Sequence, residues 1–275
     1  MTRRDFIALT GLFCIAAYIW IRNMMWIQSP DTTVLCLVCL ALFVHLGRPW
    51  NLSHPKDRNQ GVATFIGGLH CFLIGAALDV TLLMAIGWVM LFWSWLSPLI
   101  AVENRPRVAQ LCSLLVLAFP WFVTDGWFLS WAFRYSGAWA SECLLLIIGT
   151  DVVRIGTQLT VPGTVFDVEE GCNGLGVLQA LLTIGMCVAW QRLGGRKRFW
   201  FNLPVLLICA WFANVLRISV IGLAAVHGGV EFANGAFHTI GGLIVLVSMF
   251  LFTIAALELQ RKVKFKRWKI QPITA

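Results

Sequence analysis

Charge is what this sequence has least of. Aspartate, glutamate, lysine and arginine together make up 12% of its 275 residues, about half the share of an ordinary soluble domain. With 59% of the chain hydrophobic, a water-soluble fold has too little polar surface to cover itself, which excludes a soluble enzyme or binding module. Compact chemical motifs are also missing. There is no G-x-S-x-G nucleophile elbow. Neither H-E-x-x-H nor paired C-x-x-C spacing occurs, so no zinc site is expected, and no other metal or cofactor. No small-x-small cleavage site follows Phe6 to Ile21, so the first apolar run reads as a retained span rather than a removed signal. Internal repeats and low-complexity tracts are absent. The net charge of +8 has no basic module through which to act on nucleic acid.

What is present is a series of apolar runs near the roughly 17–25 residues that cross a hydrocarbon core. They predict an all-α polytopic membrane protein of about eight spans, at 6–21, 32–46, 62–78, 80–102, 108–123, 173–191, 199–222 and 239–258. The whole chain, 1–275, is then one membrane domain, with N-terminal spans in 1–107, a core in 108–258 and a basic tail in 259–275. Lysine and arginine test the count, because they collect in cytoplasmic loops. With the N-terminus inside, 17 of the 21 fall inside. Only Arg22, Arg134 and Arg154 fall outside, and Arg217 lies within a span. Both termini are therefore expected in the cytoplasm.

The one long segment between spans, about 124–171, is outside in this scheme. Trp127, Trp131, Phe133, Tyr135 and Trp139 suit an interfacial helix, since aromatic rings favour the headgroup level. From Val152 to Val161 the chain turns β-branched with partial alternation, Pro162-Gly163 makes a turn, and Thr164 to Val168 reads as a returning strand. This hairpin delivers Cys172 to the outer start of span six.

Seven of the nine cysteines lie in apolar runs and read as small hydrophobes; these include Cys36-x-x-Cys39 despite its redox-like spacing. Cys143 and Cys172 fall near the outer surface. Cys172 sits where a helix begins, where unpaired backbone amides favour the thiolate. Gly171 and Gly174 beside it let another backbone come close. The bland alternative is a small residue at a tight turn. Arg217 is costly within a span, by at least about 2.5–3.5 kcal/mol, so it faces protein, water or a ligand unless it snorkels to the headgroups. Asn214, three positions earlier on the same helix face, is placed to orient it. His238 opens span eight and can relay a proton, or serve as a polar interface residue. His227, in the run His227-Gly228-Gly229, reads as a solvated loop residue. Glu169, Glu170 and Glu231 match no compact ligand spacing, and Asp79 marks a turn between spans three and four.

Taken together, Glu170-Gly171-Cys172-Asn173-Gly174-Leu175, Asn214-Val215-Leu216-Arg217-Ile218 and His238-Thr239-Ile240-Gly241 resemble the exosortase/archaeosortase family. Ala118 to Phe122 and the approach from Gly149 to Val168 are similar to it as well. The resemblance covers about 118–258; the first hundred residues share little beyond hydropathy. Many members have alanine before the cysteine and serine after it, where this chain has Gly171 and Asn173. The resemblance implies a membrane-embedded cysteine peptidase or transpeptidase of a prokaryotic inner membrane, with its active site at the extracytoplasmic face. Cys172 is then the nucleophile, Arg217 its partner and His238 the third member, supported by Asn214, Gly171, Asn173, Gly174, Gly241 and Glu170. The implied substrates are exported proteins ending in a short motif, a transmembrane helix and a basic cluster. The new C-terminus would pass to an acceptor, glycan or lipid, or to water. Two rivals stand beside this reading. One is a transporter or channel in which Arg217 binds an anion; the other is a noncatalytic assembly factor.

Overall fold

The computed structural model describes residues 3–48, 61–168, 174–229 and 236–262. Its main helices are α1 (Arg3–Arg22), α2 (Pro30–Leu46), α3 (Val62–Ala77), α4 (Thr81–Leu96), α5 (Arg105–Ser113), α6 (Trp127–Ile147), α7 (Leu175–Leu193), α8 (Asn202–Gly228) and α9 (Ala236–Lys262). Four stretches are long and apolar enough to cross a membrane: Asp5–Arg22, Thr81–Leu99, Leu175–Leu193 and Lys197–Gly228. Pro30–Leu46, Val62–Ala77 and Leu243–Leu259 are shorter apolar helices. The chain is a mostly helical polytopic membrane protein.

α7 is the axis of the bundle. Its Leu178, Leu181, Met186 and Trp190 pack with Leu206 and Ala210 of α8, Leu111 of α5, Cys39 of α2 and Leu257 of α9 in one buried cluster. Its middle turn, Leu181–Gly185, is a π-helix, a local widening frequent at functional sites. α3 and α4 meet closely through small residues: a Cβ on Gly87 would lie 2.6 Å from the Phe72 backbone nitrogen, and one on Gly68 would lie 3.0 Å from the Gly87 carbonyl. Small residues allow such backbone approach, which drives helix association where lipid removes the hydrophobic incentive.

The single long apolar run at 62–102 resolves into two helices. Asp79 between them takes a left-handed φ of 60°, a conformation that aspartate tolerates better than most residues, and its carboxylate pairs with Arg22 of α1. The fifth expected span, 108–123, is not one helix. α5 gives way to a 3-10 turn at Leu114–Ala118. Phe119 is then extended, as the residue before Pro120 must be. Interrupted as it is, the segment runs the length of the bundle. At one end the Arg107 guanidinium lies 4.6 Å from the Trp190 ring centre and the Gln110 side chain accepts from the Gly195 amide at 2.7 Å. At the other end Asp125 accepts from the Leu82 amide at 2.6 Å, at the start of α4.

α8 extends past the expected end at residue 222 to Gly228. Ala224 and Ala225 favour continuation, and Gly229, at φ 84°, ends it. His227 therefore lies exposed in the last helical turn rather than in a loop. The extension packs beneath a three-stranded antiparallel sheet of β1 (Val153–Ile155), β2 (Gln158–Val161) and β3 (Thr164–Asp167). The expected first strand is broken at Gly156, whose φ is 66°, so two short strands precede the turn at Pro162-Gly163. The sheet buries Leu159 and Val161 against Ala138 and Leu145 of α6 and Ile218 of α8. Outside that contact, Trp127, Trp131, Tyr135 and Trp139 form an exposed stripe along α6 at four-residue spacing, while Phe133 is buried. The Glu142 carboxylate, 2.9 Å from Arg154 Nε, ties α6 to β1 and raises the guanidinium pKa above its ordinary value.

Candidate active site

Glu169, Glu170, Gly171, Cys172 and Asn173 lie outside the described residues, as does Glu231. The structure does fix the chain on both sides of Cys172. Upstream, the Val168 carbonyl accepts from Arg134 Nε at 2.6 Å and its amide donates to the Thr157 carbonyl at 3.2 Å. Arg134 also stands 4.0 Å from Asp167. This role of Arg134 was not visible in the sequence, where it is one cation on an aromatic-rich helix. Downstream, Gly174 has a φ of 74°, a left-handed conformation that favours glycine, and caps α7: its carbonyl accepts from the Leu178 amide at 2.9 Å.

Gly174 also allows a close approach. A Cβ there would stand 2.8 Å from Cγ of Asn214. Asn214 in turn lies against Gly137 of α6, where a Cβ would be 3.2 Å from its Nδ2. The asparagine is thus held between two glycines of two different elements. Around it α6 and α8 are stitched by hydrogen bonds, from Ser141 Oγ to the Val215 carbonyl at 3.1 Å and from Trp211 Nε1 to Ser136 Oγ at 2.9 Å. Asn214 is fully buried, and neither of its amide atoms has a hydrogen-bond partner among the described residues. It is therefore not tied to Arg217 by a hydrogen bond.

Arg217 is half-buried one helical turn beyond Asn214. Because α8 runs on to Gly228, Arg217 lies within the helix rather than at its end, next to Ile218 of the cluster under the sheet, with about 16 Å of helix beyond it. His238 and Gly241 fall in the first two turns of α9. Their level follows from an anchor at the opposite end of the bundle, where Arg192 of α7 pairs with Glu258 of α9 at 2.6 Å. From that ion pair α7 rises about 27 Å to Gly174, and α9 about 30 Å to His238. A second anchor is the contact of Gly185 with Leu206, where a Cβ would lie 2.8 Å from the leucine. From it, both Gly174 on α7 and Arg217 on α8 stand about 16 Å away. By straight-helix rise, Gly174, the Asn214–Arg217 turn and His238 fall at similar levels of three helices. No group of three or more histidine, cysteine, aspartate or glutamate residues able to hold a metal occurs among the described residues.

The described residues form a polytopic helical bundle with a small antiparallel sheet packed on α6 and α8. The model of the transmembrane exosortase family matches residues 7–255, and the chain belongs to that family. The match reaches well upstream of residue 118, so the N-terminal spans belong to the family pattern and do not share hydropathy alone. Membership supports a membrane transpeptidase or protease role in general. No curated protein and no solved structure matches the chain.

Proposed function

We propose that the chain is a membrane-embedded cysteine peptidase and transpeptidase that removes C-terminal sorting tails from exported proteins. The observation that carries this reading is the contact between Gly174, two residues after Cys172, and Asn214, one turn before Arg217. It sets the sequence neighbours of the proposed nucleophile and of its partner against each other, although they are far apart in the chain. In the proposed reaction the Cys172 thiolate attacks a substrate carbonyl carbon and forms a thioester as the scissile C–N bond breaks. Arg217 stabilises the oxyanion, and His238 gives a proton to the departing amine. The acyl group then passes to an acceptor, glycan or lipid, or to water.

The proposed topology is eight crossings of a prokaryotic inner membrane with both termini cytoplasmic, the interrupted 105–124 segment serving as the fifth. Its support is the charge pattern together with the placement of Arg107 and Arg192 at one end of the bundle and of Gly174 and the sheet at the other. A membrane-impermeant thiol reagent is expected to modify Cys172 in intact cells, and a peptide carrying the sorting tail to leave an acyl group on it. Modification only after the membrane is opened would reverse the orientation. Substrate flux unaffected by Cys172→Ala would favour the transporter reading instead.

His238 is tested against His227, which lies exposed in the last turn of α8, about 15 Å beyond Arg217. Turnover of His238→Ala is expected to fall by about 10²–10⁴-fold, the usual worth of acid–base assistance, and that of His227→Ala by far less. Retained activity in His238→Arg would make the required property a positive charge rather than a transferable proton. Equal mild losses at both histidines would remove His238 from the site.

A further inference from the structure

The Asn214 carboxamide is the most unusual polar group among the described residues near the candidate site. It is fully buried, and both Oδ1 and Nδ2 lack a hydrogen-bond partner among the described residues. Buried amides are nearly always paired, because an unmet donor and acceptor forfeit the hydrogen bonds they had in water. A hydrophobic side chain at position 214 would fill the same space without that cost. The surroundings show what is kept free. Two glycines lie against the amide: Gly174, whose Cβ would stand 3.1 Å from Oδ1, and Gly137, whose Cβ would stand 3.2 Å from Nδ2. Neither glycine places a side chain over the amide edge, and beside a glycine another main chain can come close.

Resting on the cysteine-enzyme reading above, we propose that Asn214 is a substrate-binding residue whose carboxamide pairs with one peptide group of the substrate next to the scissile bond. Nδ2 donates to that peptide's carbonyl oxygen and Oδ1 accepts its N–H. A carboxamide offers one donor edge and one acceptor edge in a plane, and a peptide group presents the complementary pair. Side chains that differ between substrates play no part in such a contact, so Asn214 would hold the backbone in register whatever the sorting motif. Its position fits the task. It adjoins the start of α7, two residues beyond Cys172, and precedes Arg217 by three residues, or about 4.5 Å along α8. In a dry setting such a neutral pair is stronger than in water.

The test uses the full chain in lipid nanodiscs, with Asn214→Leu and Asn214→Ala as variants. Modification of Cys172 is read by mass spectrometry with two small thiol reagents. Iodoacetamide carries an amide; methyl methanethiosulfonate carries none. Wild-type Cys172 is expected to react with iodoacetamide about tenfold faster, relative to methyl methanethiosulfonate, than Cys172 in either variant, the size expected from losing hydrogen bonds to a buried partner. Cleavage of a membrane-anchored reporter should fall by about 100-fold with both bonds lost. Thermal midpoints should stay level or rise, since an orphaned amide is removed. Equal slowing of both reagents would overturn the proposal by showing that Asn214 acts on the thiol. An unchanged reagent ratio, or a large fall in midpoint in both variants, would also overturn it. Failure of the cysteine-enzyme reading shows separately, as reporter cleavage that survives Cys172→Ser.

Discussion

Cys172→Ser is expected to abolish reporter processing, with a loss on the order of 10³-fold or more, while the protein still inserts and folds. The physical reason begins at the cap of α7. Gly174 closes the first turn through the Leu178 amide, and the helix that follows runs to Leu193, so its N-terminus presents the positive end of a long row of peptide dipoles. That field favours a thiolate near neutral pH and does far less for a serine hydroxyl, whose ionisation lies well out of range. Cys187 is the internal control. It is buried in the cluster around α7, with no described glycine opening beside it, and Cys187→Ser should leave turnover within a few fold. Mass spectrometry of the reporter reads both variants. Shortening at the normal rate by Cys172→Ser would remove the nucleophile assignment, and a loss equal to it in Cys187→Ser would trace both effects to folding.

Much of this architecture was legible because membrane proteins announce their spans through hydropathy and their orientation through basic residues. The turn at Leu78 to Val80 was visible as a lone acidic residue in an apolar run, and the structure puts Asp79 there with Arg22 as its partner. The break in the fifth segment was harder to read. Hydropathy reports transfer into lipid and not helical continuity, and only Phe119-Pro120 hinted that the chain would leave the helix. The length of α8 was missed for a related reason. Its last turns pack against the sheet through Leu223 and Val226, and tertiary contact extended a helix that local glycines would have ended.

The candidate site divides in the same way. Three separated motifs were readable in order; of the first, only Gly174 and Leu175 are among the described residues, and straight-helix rise from the Arg192–Glu258 and Gly185–Leu206 contacts is what relates it to the other two. What no spacing could reveal was side-chain packing across elements. The hold of Arg134 on Val168 and the seating of Asn214 between Gly137 and Gly174 join residues 34 or more positions apart. Asn214 was expected to orient Arg217 because the two share a helix face. Its amide instead adjoins Gly174 and makes no hydrogen bond to the arginine, a distinction that helical periodicity does not carry.

Arg217→Lys is expected to fail nearly as badly as Arg217→Ala, with kcat reduced by about 10²–10³-fold, the range seen when an oxyanion donor is removed. The simple alternative is an arginine that reaches past the end of a span to the headgroups, where lysine would serve as well. The packing of α8 weakens that alternative, because Ile218 beside Arg217, and Leu223 and Val226 beyond it, pack with the cluster under the sheet rather than face open lipid. Within such packing a guanidinium offers a planar fork of fixed donors, whereas an ammonium offers one mobile point charge. A contact made in the transition state lowers kcat when lost and leaves KM nearly unchanged, whereas a contact made equally with bound substrate raises KM at constant kcat. Kinetics of both variants on the reporter in nanodiscs therefore measure the role directly. A fall in kcat shared by lysine and alanine places Arg217 at the reacting carbonyl. Near-normal turnover with lysine would reduce it to a buried positive charge and leave the oxyanion to other donors.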